Sequence, residues 1–207
     1  MDSQHSGNAC IGLRAKTARA MAVVVSGTAR SPRAVTRAEL TLSTPGSPEV
    51  FQPFHEVMSL PWDQAVVAVR HGERANEVAA TRALKALLLE LRGQGLSISR
   101  VAIVGAPERN LRAIGSPHIR AHAAEGVLFR HVWQVAAEAV DLPWVAFSEK
   151  GFEQAAAARL GLSAGALTEQ IAELGRQVGR PWRADEKAAA MAAWIALTTE
   201  GGADGSR

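Results

Sequence analysis

Apolar positions run in strand-like blocks through the first fifty residues and recur at helical spacing from Trp62 onward, where short apolar runs interrupt them. "ACIGLRAKTARAMAVVVSG" is apolar at both ends and polar in the middle, and its "MAVVV" is β-branched, so it predicts one strand from about Cys10 to Val25. "TARSPR" reads as a turn, and "AVTRAELTLST" alternates apolar with polar residues as a half-buried strand does, which completes an antiparallel hairpin. "EVFQPFHEVMSLP" predicts a third strand, irregular or at an edge because Pro53 cannot donate to a ladder. From Trp62 to Leu91 the spacing of Val78, Leu84, Leu87, Leu88 and Leu91 predicts a helix, with Gly72 as a candidate break and the glycines of "RGQGLS" as its end. "RVAIVGAP" and "LPWVAFS" are short apolar runs that read as buried strands, the first of them parallel. Between them Ser116 and Pro117 suit an N-cap and first helical position, opening a helix to about Val140. "EKGFEQAAAARLG" and "GALTEQIAELGRQVG" are helical and end in glycine, and "RADEKAAAMAAWIALTTE" is a last helix beginning near Asp185.

A hairpin followed by βα units predicts an α/β protein. Its mixed sheet has antiparallel N-terminal strands, parallel later strands and helices on both faces. With 207 residues and no internal linker, residues 10–199 read as one domain. The small polar ends, 1–9 and 200–207, read as disordered. The net charge of +3 permits an anionic partner without demanding one. The single cysteine, Cys10, excludes an intramolecular disulfide framework and reads as a small buried hydrophobe. The first residues carry no signal-peptide pattern, and no apolar run reaches the length of a membrane span, so a cytoplasmic protein without a membrane partner is expected. No Walker loop, dinucleotide fingerprint or nucleophile elbow occurs.

The candidate chemistry begins with "SPHIRAHAAEGVLFR". At about 100° per residue, His118, His122, Glu125 and Phe129 share one stripe of the helix, ionisable first and apolar afterwards. Two histidines one turn apart can hold a metal ion with carboxylate help, and the helix start favours an anion. The plainer reading is a capped helix whose histidines bond neighbours or face water. Arg14 and Lys16 share one strand face and suit phosphate or carboxylate binding. Arg109, Arg112 and Arg120 gather in and beyond the loop after "VAIVG", where they either grip phosphates or are simply solvated. His55 reads first as an incidental loop histidine, with a reach into a polar pocket as the alternative. The tryptophans are scattered and read as core rather than as a base-stacking platform.

"IGLRAKTARAMAVVV", "VAIVGAP" and "RADEKAAAMAAWIAL" together resemble the ribonuclease H-like fold, and within it the RuvC-type Holliday-junction resolvases, over nearly the whole chain. "PHIRAHAAEG" also resembles a stretch in other bacterial proteins, which implies no activity. The resemblance implies that Arg14, Lys16 and Asp185 approach the sheet edge where the His118 helix begins. One polar pocket is then expected, built from His118, His122, Glu125, Asp185, Arg14 and Lys16, with Arg120 at its rim. It also exposes departures. Arg14 stands where the family's opening "G-I-D-P-G" carries its first Asp, Val104 or Gly105 where it carries Glu, and Ala188 three residues beyond Asp185. Family catalysis uses carboxylates to hold two divalent ions, and an arginine inverts that charge. The expectation is therefore a degenerate nuclease site that binds a phosphorylated or nucleic-acid ligand. Two alternatives stand beside it. One is a metal-dependent phosphodiester hydrolase with His118, His122, Glu125 and Asp185 around Mg²⁺, Mn²⁺ or Zn²⁺. The other is a non-catalytic interaction scaffold, with a homodimer permitted.

Overall fold

The computed structural model describes residues 7–42 and 48–198. Of the termini read as disordered, residues 7–9 belong to the first strand, and 1–6 and 199–207 lie outside the described residues. Strands β1 (Gly7–Lys16), β2 (Arg19–Thr28) and β3 (Ser31–Thr41) lead into short helices α1 (Pro48–Phe51) and α2 (Pro53–Glu56). Helices α3 (Trp62–Ala68) and α4 (Arg70–Gly93), strand β4 (Leu96–Gly105), helix α5 (Pro117–Glu138) and strand β5 (Trp144–Ser148) follow, then α6 (Phe152–Leu160), α7 (Ala164–Val178) and α8 (Ala184–Thr198). The sheet order is β3-β2-β1-β4-β5, with β1 antiparallel to β2, β2 antiparallel to β3, and β1, β4 and β5 parallel. The predicted mixed α/β sheet is thus observed.

Three local predictions are corrected. The single strand expected from Cys10 to Val25 is two strands, β1 and β2, joined at Thr17 and Ala18. Ala18 takes a φ of 52°, a left-handed conformation that costs a non-glycine residue about 1–2 kcal/mol. It is held there by packing, its side chain buried and its carbonyl accepting from Leu42 N–H at 2.9 Å. With neither Gly nor Asn the turn leaves no mark in the pattern. The expected third strand around Pro53 is instead α1 and α2. Asn76 of α4, fully buried, donates to the Val50 carbonyl at 2.8 Å and fastens this segment down. The helix from Trp62 breaks at Val69, not at Gly72, which lies buried inside α4.

β1, β2 and β4 are covered on both faces, which explains their near-continuous apolar sequences. On one face Ile11, Leu13, Val24 and Ile103 meet Leu84 and Leu91 of α4 and Phe129 and Trp133 of α5. On the other, Val23, Val25 and Val104 meet α6, α7 and the alanines of α8. Gly12 sets the distance there: a Cβ on it would intrude on the Ala189 carbonyl and lie 2.7 Å from Ala193 N. The Ala-rich sequence of α8 lets its backbone lie against β1, and the sheet separates α5 from α8 through the whole core.

Candidate functional site

The parallel strands β1, β4 and β5 end side by side, with Arg14 opposite Val104 and Gly105 opposite Ser148. This C-terminal edge is where open α/β sheets place ligands. On the α8 side of the edge Arg14 is largely buried and its guanidinium ion-pairs with Glu149 and, at 3.6 Å, with Asp185. Lys16 reaches Asp185 at 3.9 Å and Arg19 reaches it at 3.5 Å. Asp185 stands in the first turn of α8. Glu186 beside it is turned away, its carboxylate accepting from Arg183 N–H at 2.9 Å at the start of the helix. Arg14, Lys16, Glu149 and Asp185 border a cavity of about 540 Å³, walled on its apolar side by Phe152, Leu167, Ile171 and Met191. That volume lies within the range of small-molecule sites.

His118, His122 and Glu125 do not join this pocket. They project from α5 on the other side of the sheet, where α2 brings His55 to them. Glu125 is buried and accepts from His55 N–H at 3.2 Å and from His55 Nδ1 at 2.8 Å. An ionised carboxylate only accepts, so Nδ1 is the donor in that bond and Nε2 is the ring nitrogen left for a further contact. Among the described residues His55 Nε2 is buried and has no hydrogen-bond partner. His118 Nε2 and His122 Nε2 face one another at 3.2 Å, both rings exposed. The His55 ring meets those of His122 and His118 edge-on, at centroid distances of 4.3 and 5.3 Å. The ligand nitrogens of all three histidines lie within 4.8 Å of one another. Among the described residues Glu73, Glu77 and His131 form another such group.

The single expected pocket is therefore two. Arg14, Lys16 and Asp185 assemble on the α8 side; His118, His122 and Glu125 assemble on the α5 side. Asp185 is in no position to complete a ligand shell with the histidines. Arg120 lies over the Trp62 ring at 5.6 Å and donates to the Ile114 carbonyl at 3.3 Å, anchoring the chain ahead of α5. Arg109 is exposed in the loop after β4. Arg112 pairs with Asp63. The buried Arg130 pairs with Glu108 and donates to the Ala106 carbonyl at 2.9 Å, and desolvation pushes its guanidinium below its ordinary pKa. Glu149 escaped the sequence reading, although it had one signal, an acid directly after a parallel strand. His55 reads first as an incidental loop histidine, because its place depends on how α2 packs on α5.

No family model and no curated protein matches the chain. Among solved structures, RuvC of T. thermophilus in complex with a Holliday junction substrate matches with a TM-score of 0.51 and 13% identity, over 94% of this chain and 96% of that one. A second Thermus thermophilus RuvC structure matches with a TM-score of 0.50 and 13% identity, over 93% and 96%. The fold is ribonuclease H-like. The ends of β1, β4 and β5 and the start of α8 form one locus, which holds an Arg14–Glu149–Asp185 network. Its carboxylates are poor ligands for a pair of divalent ions: a guanidinium stands between them, with Lys16 and Arg19 adding positive charge at Asp185.

Among the described residues no helix is long and apolar enough to cross a membrane.

Proposed function

We propose that this protein binds nucleic acid through a nucleotide phosphate seated in the α8-side pocket, and that it does not cleave the strand by two-metal chemistry. The observation that carries the reading is the Arg14 guanidinium at the end of β1, paired with Glu149 and Asp185. The charges lining the cavity balance, with Arg14, Lys16 and Lys187 against Glu149, Glu153 and Asp185. A phosphate therefore enters by exchange. Glu149, its side chain 43% exposed, swings out, and the phosphate takes its place on the planar two-pronged donor. Lys16 adds a second positive charge. The apolar wall offers a surface for the base or sugar, so the pocket suits a nucleotide better than a bare anion. The RuvC bound to a Holliday junction supports a nucleic-acid source for that nucleotide, and a cytoplasmic location goes with it.

The test is fluorescence anisotropy with labelled single-stranded, duplex and four-way-junction DNA and with RNA. Binding is expected to weaken as salt rises from about 50 to 200 mM, and Arg14→Glu is expected to weaken it about tenfold or more. Lys16→Glu is expected to lower the salt slope by about one. Equal binding by wild type and Arg14→Glu would overturn the proposal. Efficient competition by a free mononucleotide would identify a small phosphorylated ligand as the true occupant. Strand cleavage in Mg²⁺ that disappears in Asp185→Asn would overturn the non-hydrolytic part.

A further inference from the structure

We infer that His55, His118 and His122 form a binding site for a borderline divalent transition-metal ion, with Zn²⁺ as the natural candidate, and that Glu125 positions His55 rather than binding the ion. The site lies across the sheet from the phosphate pocket and stands or falls independently of it.

Four observations converge. The donor set is three imidazoles, a set that suits Zn²⁺ and its neighbours and not the oxygen-seeking Mg²⁺. The spacing fits: with Zn–N bonds of about 2.0–2.1 Å, the edge of a ligand tetrahedron is about 3.3–3.4 Å. His118 Nε2 and His122 Nε2 stand 3.2 Å apart, and the nitrogens of the three histidines lie within 4.8 Å of one another. Among the described residues His55 Nε2 is buried and without a hydrogen-bond partner. An orphaned buried ring nitrogen is costly, and an ion between the rings satisfies it. Finally, the Glu125 carboxylate at 2.8 Å from His55 Nδ1 is the outer contact that fixes tautomer and ring orientation in metal-binding histidines and raises their basicity.

His118 and His122 are exposed, so the fourth coordination position opens to solvent and takes water. The ion also joins α2 to α5, two elements far apart in sequence, and metal binding then adds to the stability of the folded chain.

Calorimetric titration of the metal-stripped full-length protein with ZnCl₂ tests the site. Wild type is expected to bind one equivalent and to gain thermal stability from it. His122→Ala and His118→Ala, both at exposed positions, are expected to abolish both effects while folding normally by circular dichroism. His131→Ala is expected to bind as wild type does, since it belongs to the separate Glu73–Glu77 group. Glu125→Gln is expected to weaken binding about 10- to 100-fold, the usual effect of losing an outer-shell partner. No saturable binding by wild type, or undiminished binding by His122→Ala, would overturn the inference. Binding lost in His131→Ala and kept in His122→Ala would move the ion to the other group and overturn it equally.

Discussion

On the α8 side of the sheet one carboxylate, Asp185, is held by Arg14, Lys16 and Arg19, whereas on the α5 side one carboxylate, Glu125, is held by a single histidine through its ring and its backbone N–H. The difference underlies what each site is proposed to accept. Three cations around Asp185 leave it little to offer a metal ion, and in the proposed reading the guanidinium that crowds it takes a phosphate once Glu149 moves. Glu125 instead accepts from His55 Nδ1, and the opposite ring nitrogen is the one the proposed metal site uses. A carboxylate thus serves both proposed sites, one for an anion and one for a cation, according to whether its partners arrive charged or arrive as an imidazole with a second face.

The largest expected effect breaks the α8 side alone. Gly12→Ala places a methyl group against the backbone of Ala189 and Ala193, so α8 must move away from β1. A loss of about 3 kcal/mol in urea unfolding is expected, at the upper end for overpacking. Asp185 shifts with its helix, so nucleic-acid binding falls while Zn²⁺ binding survives. Unchanged stability would show that α8 does not sit as described. Glu125→Ala attacks the other side, stripping the buried acceptor from His55 N–H and Nδ1. About 2 kcal/mol of stability is expected to go with it, the cost of leaving buried donors unpaired, and DNA affinity should be unaltered. A loss of DNA binding in that variant would join the two sites and break the comparison. Arg14→Met is gentler: Asp185 keeps Lys16 and Arg19, so about 1 kcal/mol is expected by denaturation, alongside weaker DNA binding. His118→Ala is the smallest. Without metal its stability should match wild type within about 0.5 kcal/mol, as for most exposed positions. The two proteins should separate only when Zn²⁺ is added.

Periodicity carried most of the fold. The apolar alternation of "AVTRAELTLST", the unbroken run of "VAIVG" and the three- and four-residue spacing of the helices are local properties, visible wherever a strand or helix buries one or both faces. The Ser116 cap and the Ala-rich last helix were legible for the same reason. The turn at Ala18 was not, because its left-handed conformation is imposed by packing against residues distant in the chain. The pairing of His118 with His122 could be read from one helical turn. Their partner His55 contacts Glu125 across 70 positions, and Glu149 meets Arg14 across 135. No spacing rule spans such distances.

By itself, then, the sequence determined the order and type of most elements, the α/β class, and the identity of the ionisable residues near the sheet's C-terminal edge. Only the tertiary structure decided on which side of the sheet each of them stands. Side chains alternate faces along a strand, so Arg14 and Lys16 point toward α8 while Leu13 and Ala15 join the core under α4 and α5. Which helix covers which face is fixed by the crossovers and by the close contact at Gly12, and that choice divided the residues expected in one pocket between two sides of the sheet.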